Sequence, residues 1–254
     1  MPFVSIVMPA YNAAKTIKQA INSVLNQTYG DFELIVVNDC STDETESMIA
    51  DFAQKDSRIV HLNNPKNSGV SYTRNRAVAC AKGEWIAFLD SDDMWTSDKL
   101  EKQVALIEKE KEAVLVYTAS SFITADGDPY SYILPAEEKT DYATLLKKNL
   151  VSCSSAIVKA SVMKGMKMPN DAMHEDYYVW LTILKQYKYA YGVNEPLLIY
   201  RLSNNSKSSN RIKSAKMIFR TYRAVGYSGF MSCILMLRYS VHSITKRLKI
   251  KKTA

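Results

Sequence analysis

The first third of the chain alternates short apolar runs with helical patterns, and this alternation constrains the fold more than any other feature. Apolar runs of strand length lie at 3–8, 32–37, 59–62 and 85–89. Between them, apolar residues recur at the three- and four-residue spacing of a helix face. Strands and helices in this order build βαβ units around a mainly parallel sheet. The sequence therefore predicts an α/β fold, in which ligands bind at the carboxyl ends of the strands.

The rest of the chain is less regular. The predicted elements are helices at 100–107, 142–146 and 175–186, strands at 114–117, 156–158 and 197–200, a polar loop at 203–210 and helix from 211 onward. Asp126-Gly127-Asp128-Pro129 is a turn signal. The 254 residues, 47% of them hydrophobic, suffice for one α/β domain with a sizeable core.

Cysteine usage and the chain ends indicate the compartment. The four cysteines are scattered and form no CxxC pair, which argues against a zinc knuckle or a disulfide framework and fits a reducing cytoplasm. The N-terminus has no basic segment or cleavage-like end, so we expect no signal peptide. The apolar run at 224–237 is too short to predict a spanning helix.

The net charge of +7 conceals an asymmetry along the chain. Residues 196–254 hold 13 Lys and Arg and no Asp or Glu, so the remaining 195 residues carry a net charge of −6. A basic tail on an acidic body indicates an anionic partner, such as a lipid surface. Nothing in the sequence resembles a groove-reading or base-stacking module, so we expect no nucleic-acid partner.

Polar motifs follow the predicted strands. They are Pro9-Ala10-Tyr11-Asn12, Asn38-Asp39-Cys40-Ser41-Thr42-Asp43, Asn67-Ser68-Gly69-Val70-Ser71-Tyr72-Thr73-Arg74-Asn75 and Asp90-Ser91-Asp92-Asp93. No GxGxxG or P-loop pattern occurs, which argues against a dinucleotide enzyme or a P-loop NTPase. The four ordered motifs resemble those of the family 2 glycosyltransferases, GT-A fold enzymes that use nucleotide-activated sugars. The resemblance covers 3–95 densely and 174–201 more thinly.

The resemblance implies a domain organisation and a nucleotide site. A GT-A domain at 1–206 would comprise a nucleotide-binding half, 1–95, and an acceptor half, 96–206, followed by a basic amphipathic helical tail at 207–254. The nucleotide-binding residues that it implies are Pro9, Tyr11, Asn12, Asp39, Asn67, Gly69, Arg74, Asp90 and Ser91. Among them, Asp39 is similar to the residue that hydrogen-bonds the uracil ring, and the Arg74 guanidinium would hold ribose or phosphate oxygens.

The acidic cluster after the fourth strand indicates a cation. Asp90 and Asp92 are two residues apart, so in an extended chain their carboxylates point to one side, about 6 to 7 Å apart. Three carboxylates in four residues repel unless a cation or hydrogen-bond donors compensate. A hard divalent cation binds such oxygens together with substrate phosphates. The resemblance implies a "DxD" motif in which Asp92 binds Mn²⁺ or Mg²⁺ and Asp90 lies near the ribose and the metal.

Several of these residues have structural alternatives. One Asp of the acidic cluster could cap the following helix, and Arg74 could be a surface arginine. Ser41 and Glu44 fit a capping box that opens the second helix, which leaves Asp39 for the base. A third metal ligand is not evident, because the only histidine after His174 is His242, deep in the tail.

His174-Glu175-Asp176 opens the predicted helix at 175–186. Adjacent helix positions do not face each other, so only one of the two carboxylates can reach a given acceptor hydroxyl. The resemblance implies that Asp176 is the general base of an inverting, in-line transfer and that Glu175 shapes the acceptor site. The alternative is two first-turn acids that complement the helix dipole. The late Tyr-Arg segment implies that Arg201 contacts the diphosphate.

The tail combines basic and apolar residues. Ile212, Ala215, Phe219 and Tyr222 share one predicted helix face, 224–237 is more apolar all round, and 246–252 is a basic cluster. This pattern suits an anionic membrane surface. The alternatives are packing on the domain and self-association into a homo-oligomer.

Together these features predict a metal-dependent inverting glycosyltransferase, peripheral on the cytoplasmic face of the cell membrane. It would transfer a hexose or N-acetylhexosamine from a UDP-sugar to a saccharide acceptor, lipid-linked, in surface polysaccharide biosynthesis. One alternative is a non-catalytic member that binds a nucleotide sugar or a partner. A sugar nucleotidyltransferase is the other, although the glycine-rich triphosphate loop expected there is missing.

Overall fold

The computed structural model describes residues 1–202 and 211–252, without the side chains of 211, 242 and 246–252. The predicted polar loop at 203–210, the His242 side chain and the side chains of the basic cluster at 246–252 lie outside the described residues. The strands are β1 Val4–Ala10, β2 Phe32–Asn38, β3 Ile59–Asn63, β4 Trp85–Phe88, β5 Met94–Trp95, β6 Leu115–Ile123, β7 Pro129–Leu134, β8 Lys139–Thr140, β9 Ile157–Lys159 and β10 Ala190–Arg201. The helices are α1 Ile17–Leu25, α2 Thr45–Lys55, α3 Val70–Cys80, α4 Lys99–Lys109, α5 Tyr142–Lys147, α6 Ala160–Met163, α7 Glu175–Gln186, α8 Arg211–Val225 and α9 Gly229–Lys252.

The strands form one mixed sheet in the order β3-β2-β1-β4-β9-β6-β10-β5, with β7 paired to β6 and β8 to β10. The predicted parallel sheet is confirmed for β3-β2-β1-β4, and β6 and β10 are also parallel. The second half is mixed, because β9 runs antiparallel to both β4 and β6. Every residue of β1 and β2 is buried, as expected for central parallel strands covered by helices on both faces.

Strand register brings the polar motifs to one edge of the sheet. Ala10 is opposite Asn38, and Asn38 is opposite Asn63, so β1, β2 and β3 end together. The N–H of Asp39 then donates to the carbonyl of Ala10 at 2.8 Å, which extends the pairing one residue past the strand ends. The motifs that follow β1, β2 and β3 are thereby held side by side.

The predicted capping box at Ser41 and Glu44 is wrong. Helix α2 begins at Thr45, and no side chain caps it at Glu44. The Asp43 carboxylate instead accepts the Thr45 N–H at 3.0 Å. Ser41 Oγ accepts the N–H of Asn12 at 3.0 Å. Asp43 therefore accepts the first N–H of α2 in place of Ser41. Ser41 instead connects the loops that follow β1 and β2.

The tail helices pack on the domain, and of the apolar face that the sequence indicated on α8 only Tyr222 is fully buried. Helix α8 packs on α7, and α9 packs on α5 and β7. The residues that they bury include Met217, Ile218, Tyr222, Val225 and Leu235. Ile212 of the predicted face is instead 71% exposed. Within the described part of the chain, we find no helix with the length and apolar character needed to cross a membrane.

Candidate active site

A cavity of about 690 Å³ opens at the carboxyl ends of the central strands. The residues singled out from the sequence that line it are Pro9, Tyr11, Asn12, Asp39, Asn67, Gly69, Arg74, Asp90, Ser91, Asp92, Glu175 and Asp176. Arg201 is not among the lining residues. Motifs from both halves of the chain, more than 160 residues apart at the extremes, therefore meet around one space.

The loops after β1, β2 and β3 are joined by side-chain hydrogen bonds. Asn12, in the left-handed conformation at φ 48°, accepts the N–H of Thr42 on its side-chain oxygen at 2.8 Å. The buried Asp39 carboxylate accepts the N–H groups of Ser68 at 2.9 Å and Gly69 at 2.8 Å. In this structure Asp39 thus shapes the loop before α3, and its role in reading a base stays a prediction.

An aspartate that sequence reasoning missed caps α3. The Asp171 carboxylate accepts the N–H groups of Val70 at 3.1 Å and Ser71 at 3.0 Å, together with the Ser71 hydroxyl. Gly69 makes this approach possible: at φ +85°, an added Cβ would lie 2.2 Å from Asp171 Oδ2. Asp171 thereby ties the loop that precedes α7 to the start of α3.

Substituting Gly69 by Ala tests how much the close contact between Gly69 and Asp171 contributes to stability. We expect a loss of about 2 kcal/mol or more, from left-handed strain and from displacement of the Asp171 cap. Gly127→Ala is the matched control, because Gly127 also has a positive φ, +104°, but nothing lies within 4 Å of an added Cβ. Urea denaturation of both variants measures the difference. Equal losses of unfolding free energy in the two variants would mean that the contact with Asp171 contributes nothing to the cost of Gly69→Ala.

A buried arginine connects the two halves of the site. The guanidinium of Arg74, 4% exposed, pairs with Asp90 through Nη2 and with Glu175 Oε1 through Nη1 at 2.9 Å. Burial on its own would lower the pKa of Arg74, but the charges of Asp90, Cys153 and Glu175 raise it well above its ordinary value. Arg74 therefore stays charged and holds the acidic loop after β4 against the start of α7.

Arg201 positions the acidic loop, and its predicted contact with a diphosphate stays a prediction. Arg201 donates from Nε to the carbonyl of Asp92 at 3.0 Å, from Nη1 to Ala125 O at 3.0 Å and from Nη2 to Gln19 Oε1 at 2.6 Å. Its backbone N–H donates to Asp93 Oδ1 at 2.9 Å. Because all three guanidinium nitrogens have partners within the protein, Arg201 fixes the loop from outside the cavity.

The three carboxylates of this loop have different environments. Asp93 is buried, and burial with the charges of Asp92 and Asp90 raises its pKa well above the ordinary value. Asp92 and Asp90 line the cavity. Burial and the charge of Asp90 raise the pKa of Asp92 to about 6. Asp92 therefore holds a proton, or a cation in its place, more strongly than an isolated aspartate does.

Asp90 and Asp92 fit a hard divalent cation that shares its coordination with a substrate. No group of three or more His, Cys, Asp and Glu side chains forms a protein cage within residues 1–202 and the described tail. Mg²⁺ and similar ions bind through one or two carboxylates, substrate phosphates and water, so a cage is not required. Asp92 is the stronger candidate ligand, because Asp90 is already paired with Arg74.

The two acids at the start of α7 have separate surroundings. Glu175 is buried and paired with Arg74. Asp176 lines the cavity and accepts the N–H of Tyr177 on Oδ1 at 2.7 Å. Burial and the charge of Glu175 raise the pKa of Asp176, opposed by His174 and Arg74. Glu175 is thus held by an ion pair, whereas Asp176 has no ion pair among the described contacts and lines the cavity; its role as general base stays a prediction.

The C-terminal helices also contribute to the cavity. Ser214 of α8 and Tyr239 and Ser243 of α9 line it, and Ser214 Oγ lies 3.4 Å from His174 Nε2. No sequence pattern placed these residues at the site. Their position follows from the packing of α8 across the start of α7, where Thr221 Oγ1 accepts the N–H of His174 at 3.2 Å.

Comparisons with known proteins agree with this architecture. The sequence profile "Glycosyl transferase family 2" matches residues 5–164. The chain is 37% identical, over 97% of its length and 98% of the relative's, to "Putative teichuronic acid biosynthesis glycosyltransferase TuaG" of Bacillus subtilis. It is 38% identical to "UDP-Glc:alpha-D-GlcNAc-diphosphoundecaprenol beta-1,3-glucosyltransferase WfgD" of Escherichia coli, over 84% of this chain and 82% of that one.

Solved structures share the fold at low sequence identity. TarS 1-349 of S. aureus in complex with UDP-GlcNAc superposes with a TM-score of 0.74 at 19% identity, covering 93% of this chain and 70% of that one. A mannosyltransferase of Pyrobaculum calidifontis in complex with GDP-Man and Mn²⁺ gives 0.72 at 18%, covering 99% and 73%. With the profile match and the relatives above, they show that this chain is a GT-A fold glycosyltransferase and belongs to glycosyl transferase family 2.

Proposed function

We propose that this protein transfers a hexose or N-acetylhexosamine from a UDP-sugar, with inversion, to a lipid-linked saccharide in surface polysaccharide biosynthesis. The observation that carries the proposal is the single cavity in which Asp90 and Asp92 of one half meet Glu175 and Asp176 of the other through buried Arg74. The named activity of the Escherichia coli relative supports the donor and acceptor classes.

In the proposed reaction, Asp176 accepts the proton of the acceptor hydroxyl as that oxygen attacks the anomeric carbon. A carbon–oxygen bond to the acceptor forms, and the bond from the anomeric carbon to the diphosphate oxygen breaks, so UDP leaves with the electron pair. Attack in line with the leaving group inverts the anomeric centre. Glu175, fixed by Arg74, shapes the acceptor site beside the base.

Asp92 and Asp90 are the proposed ligands of Mn²⁺ or Mg²⁺. A divalent cation bound there supplies charge neutralisation for the leaving diphosphate. The Mn²⁺ in the mannosyltransferase complex supports this choice of ion. Arg201 contributes indirectly, because it holds the backbone of the acidic loop.

Metal-dependent binding of UDP should raise the melting temperature of the wild-type protein, because a ligand that binds only the folded state stabilises it. We expect Asp92→Ala to remove at least nine-tenths of the shift produced by UDP with Mn²⁺. Asp126→Ala, which removes an exposed carboxylate in a turn away from the cavity, should keep the full shift. A panel of UDP, GDP, CDP and dTDP, each with Mn²⁺, Mg²⁺ or EDTA, makes the measurement. A metal-dependent shift with GDP alone would mean that the donor is a GDP-sugar and not a UDP-sugar. No shift with any nucleotide would favour the non-catalytic alternative.

The tail supports attachment to the inner face of the cell membrane. Phe230, Leu237, Val241 and Ile244 lie on one face of α9 and are 49–78% exposed. The tail helices α8 and α9 also carry exposed cations, among them Arg238 on α9 and Lys216 on α8. An apolar stripe with neighbouring cations suits the boundary of an anionic bilayer. We include this peripheral attachment in the proposed function.

Vesicle cosedimentation tests the attachment. The double variant Leu237→Ser/Val241→Ser should bind vesicles of phosphatidylglycerol about tenfold or more weakly than the wild type, because each apolar side chain contributes about 1.5 kcal/mol or more when buried. Ile133→Ser, which changes an exposed apolar residue on β7, is the control and should bind as the wild type does. Equal binding by the double variant would exclude the α9 stripe as the attachment surface.

A further inference from the structure

Helices α8 and α9 enclose a second concave surface, separate from the active-site cavity. We name it the α8–α9 groove; its lining residues are Ile212, Ala215, Lys216, Phe219, Arg220 and Met236. Its volume is about 400 Å³, which lies within the range of small-molecule sites. Four of the six lining side chains are apolar, and the helix face that supplies most of them is the one that the domain does not bury.

The groove has cations at its edge and no acids on its helices. Lys216 and Arg220 are exposed, and residues 196–254 contain no Asp or Glu. Arg220 Nη1 donates to the carbonyl of Ala172 at 3.2 Å, so this cation lies next to the loop that leads into Glu175 and Asp176. An apolar groove with two cations at the side of the active site is complementary to an anionic amphiphile.

The groove and the active-site cavity are bounded by the same two helices. Ser214, which lines the cavity, is the chain neighbour of Ala215, which lines the groove. Met236 of the groove is three residues before Tyr239 of the cavity on α9, about 4.5 Å along the helix axis. Neighbouring positions on a helix point in different directions, so a ligand that occupies both surfaces passes around the side of α8.

We propose that the α8–α9 groove binds the isoprenoid chain of a polyprenyl-diphosphate acceptor and that Lys216 and Arg220 bind its diphosphate. The identity of this occupant rests on the proposed function. A single hydrocarbon chain fits a concave groove, whereas the bilayer proposed above contacts the exposed residues Leu237 and Val241 of α9, which do not line the groove. The groove thus selects the acceptor by its lipid, while the cavity holds the sugar.

Titration of the full chain with farnesyl diphosphate tests the proposal without requiring transfer. Saturating UDP and Mn²⁺ are present so that the donor site is filled, and calorimetry measures the dissociation constant. The wild type should bind farnesyl diphosphate at least tenfold more tightly than farnesol or inorganic diphosphate, because chain and charge are both recognised. Lys216→Glu/Arg220→Glu should weaken binding at least tenfold, since it replaces two cations that attract the diphosphate by two anions that repel it.

Two further variants sharpen the test. Ala215→Trp fills the groove and should also weaken binding at least tenfold. Lys213→Glu/Arg223→Glu makes the same charge change on α8 outside the groove, and should bind as the wild type does. Melting temperatures check the folding of both charge variants, because Arg220 and Arg223 each donate a hydrogen bond to a backbone carbonyl.

The proposal is overturned if the wild type does not bind farnesyl diphosphate, or if the groove variants and the control bind it equally. A groove that instead joins two copies of the chain would show as a dimer in sedimentation that Ala215→Trp dissociates, with no binding of the probe. If farnesyl diphosphate binds as expected but no lipid-linked saccharide accepts sugar, the proposed function fails and the groove assignment stands.

Discussion

Replacing Asp176 by Asn is expected to lower the transfer rate by about 10²- to 10⁴-fold while UDP binding stays near the wild-type value. The amide keeps the shape of the side chain and its place at the cavity wall but cannot accept the acceptor proton. Nucleotide binding should persist, because the groups assigned to the nucleotide lie in the other half of the site. Steady-state UDP release and the UDP-induced melting shift measure the two effects.

The pH profile gives an independent readout of Asp176. Burial and Glu175 raise the pKa of this carboxyl, so the base form is lost as pH falls through that raised value. The kcat/KM of the wild type should therefore fall on the acid side at a pH above the ordinary aspartate range, and the residual activity of Asp176→Asn should lack this limb. Asp126→Asn, at an exposed turn, should retain both rate and profile. An unchanged rate for Asp176→Asn would remove Asp176 from the role of base.

Arg74→Met is expected to destabilise the folded protein by about 3 to 5 kcal/mol. It removes the partner of buried Glu175 and of Asp90, and breaking a buried ion pair costs far more than breaking an exposed one. Arg58→Met, which breaks the more exposed pair with Asp56, is the control and should cost about 1 kcal/mol or less. Urea denaturation of both variants measures the losses.

A double-mutant cycle identifies the source of the Arg74 effect. Arg74→Met/Glu175→Gln should recover part of the loss, since the neutral amide does not leave a buried charge without its cation. A loss within 1 kcal/mol of the control for Arg74→Met would contradict the connecting role given to this residue. A large loss with no recovery in the double variant would place the energy in the Asp90 pair instead.

The sequence predicted which residues of the first 95 gather at one edge of the sheet, because these signals are local. Each motif follows a strand, and parallel strands that are in register end at one edge, so Asp39, Arg74 and Asp92 meet around the cavity as expected. Helix α7 has the predicted bounds, Glu175–Gln186. The short strands β5 and β8, of two residues each, have too few positions to show a period.

Contacts between distant segments could not be predicted. Asp171 lies in a loop without a pattern, yet it caps α3 across 100 residues of chain. No local pattern indicated that the Arg201 guanidinium donates to Asp92, Ala125 and Gln19. In α8 the apolar residues cover more than one face, and the tertiary packing that buries Met217 and not Ile212 cannot be derived from periodicity.

The anomeric configuration of the product shows directly whether the protein transfers a sugar with inversion. The full chain, with Mn²⁺, is incubated with α-linked UDP-glucose or UDP-N-acetylglucosamine and α-D-GlcNAc-diphosphoundecaprenol, and the product is examined by NMR. We expect release of UDP and a new β-glycosidic linkage with at least one donor. An α-linkage would contradict the inverting mechanism assigned to Asp176, and no transfer from any UDP-sugar would contradict the proposed function itself.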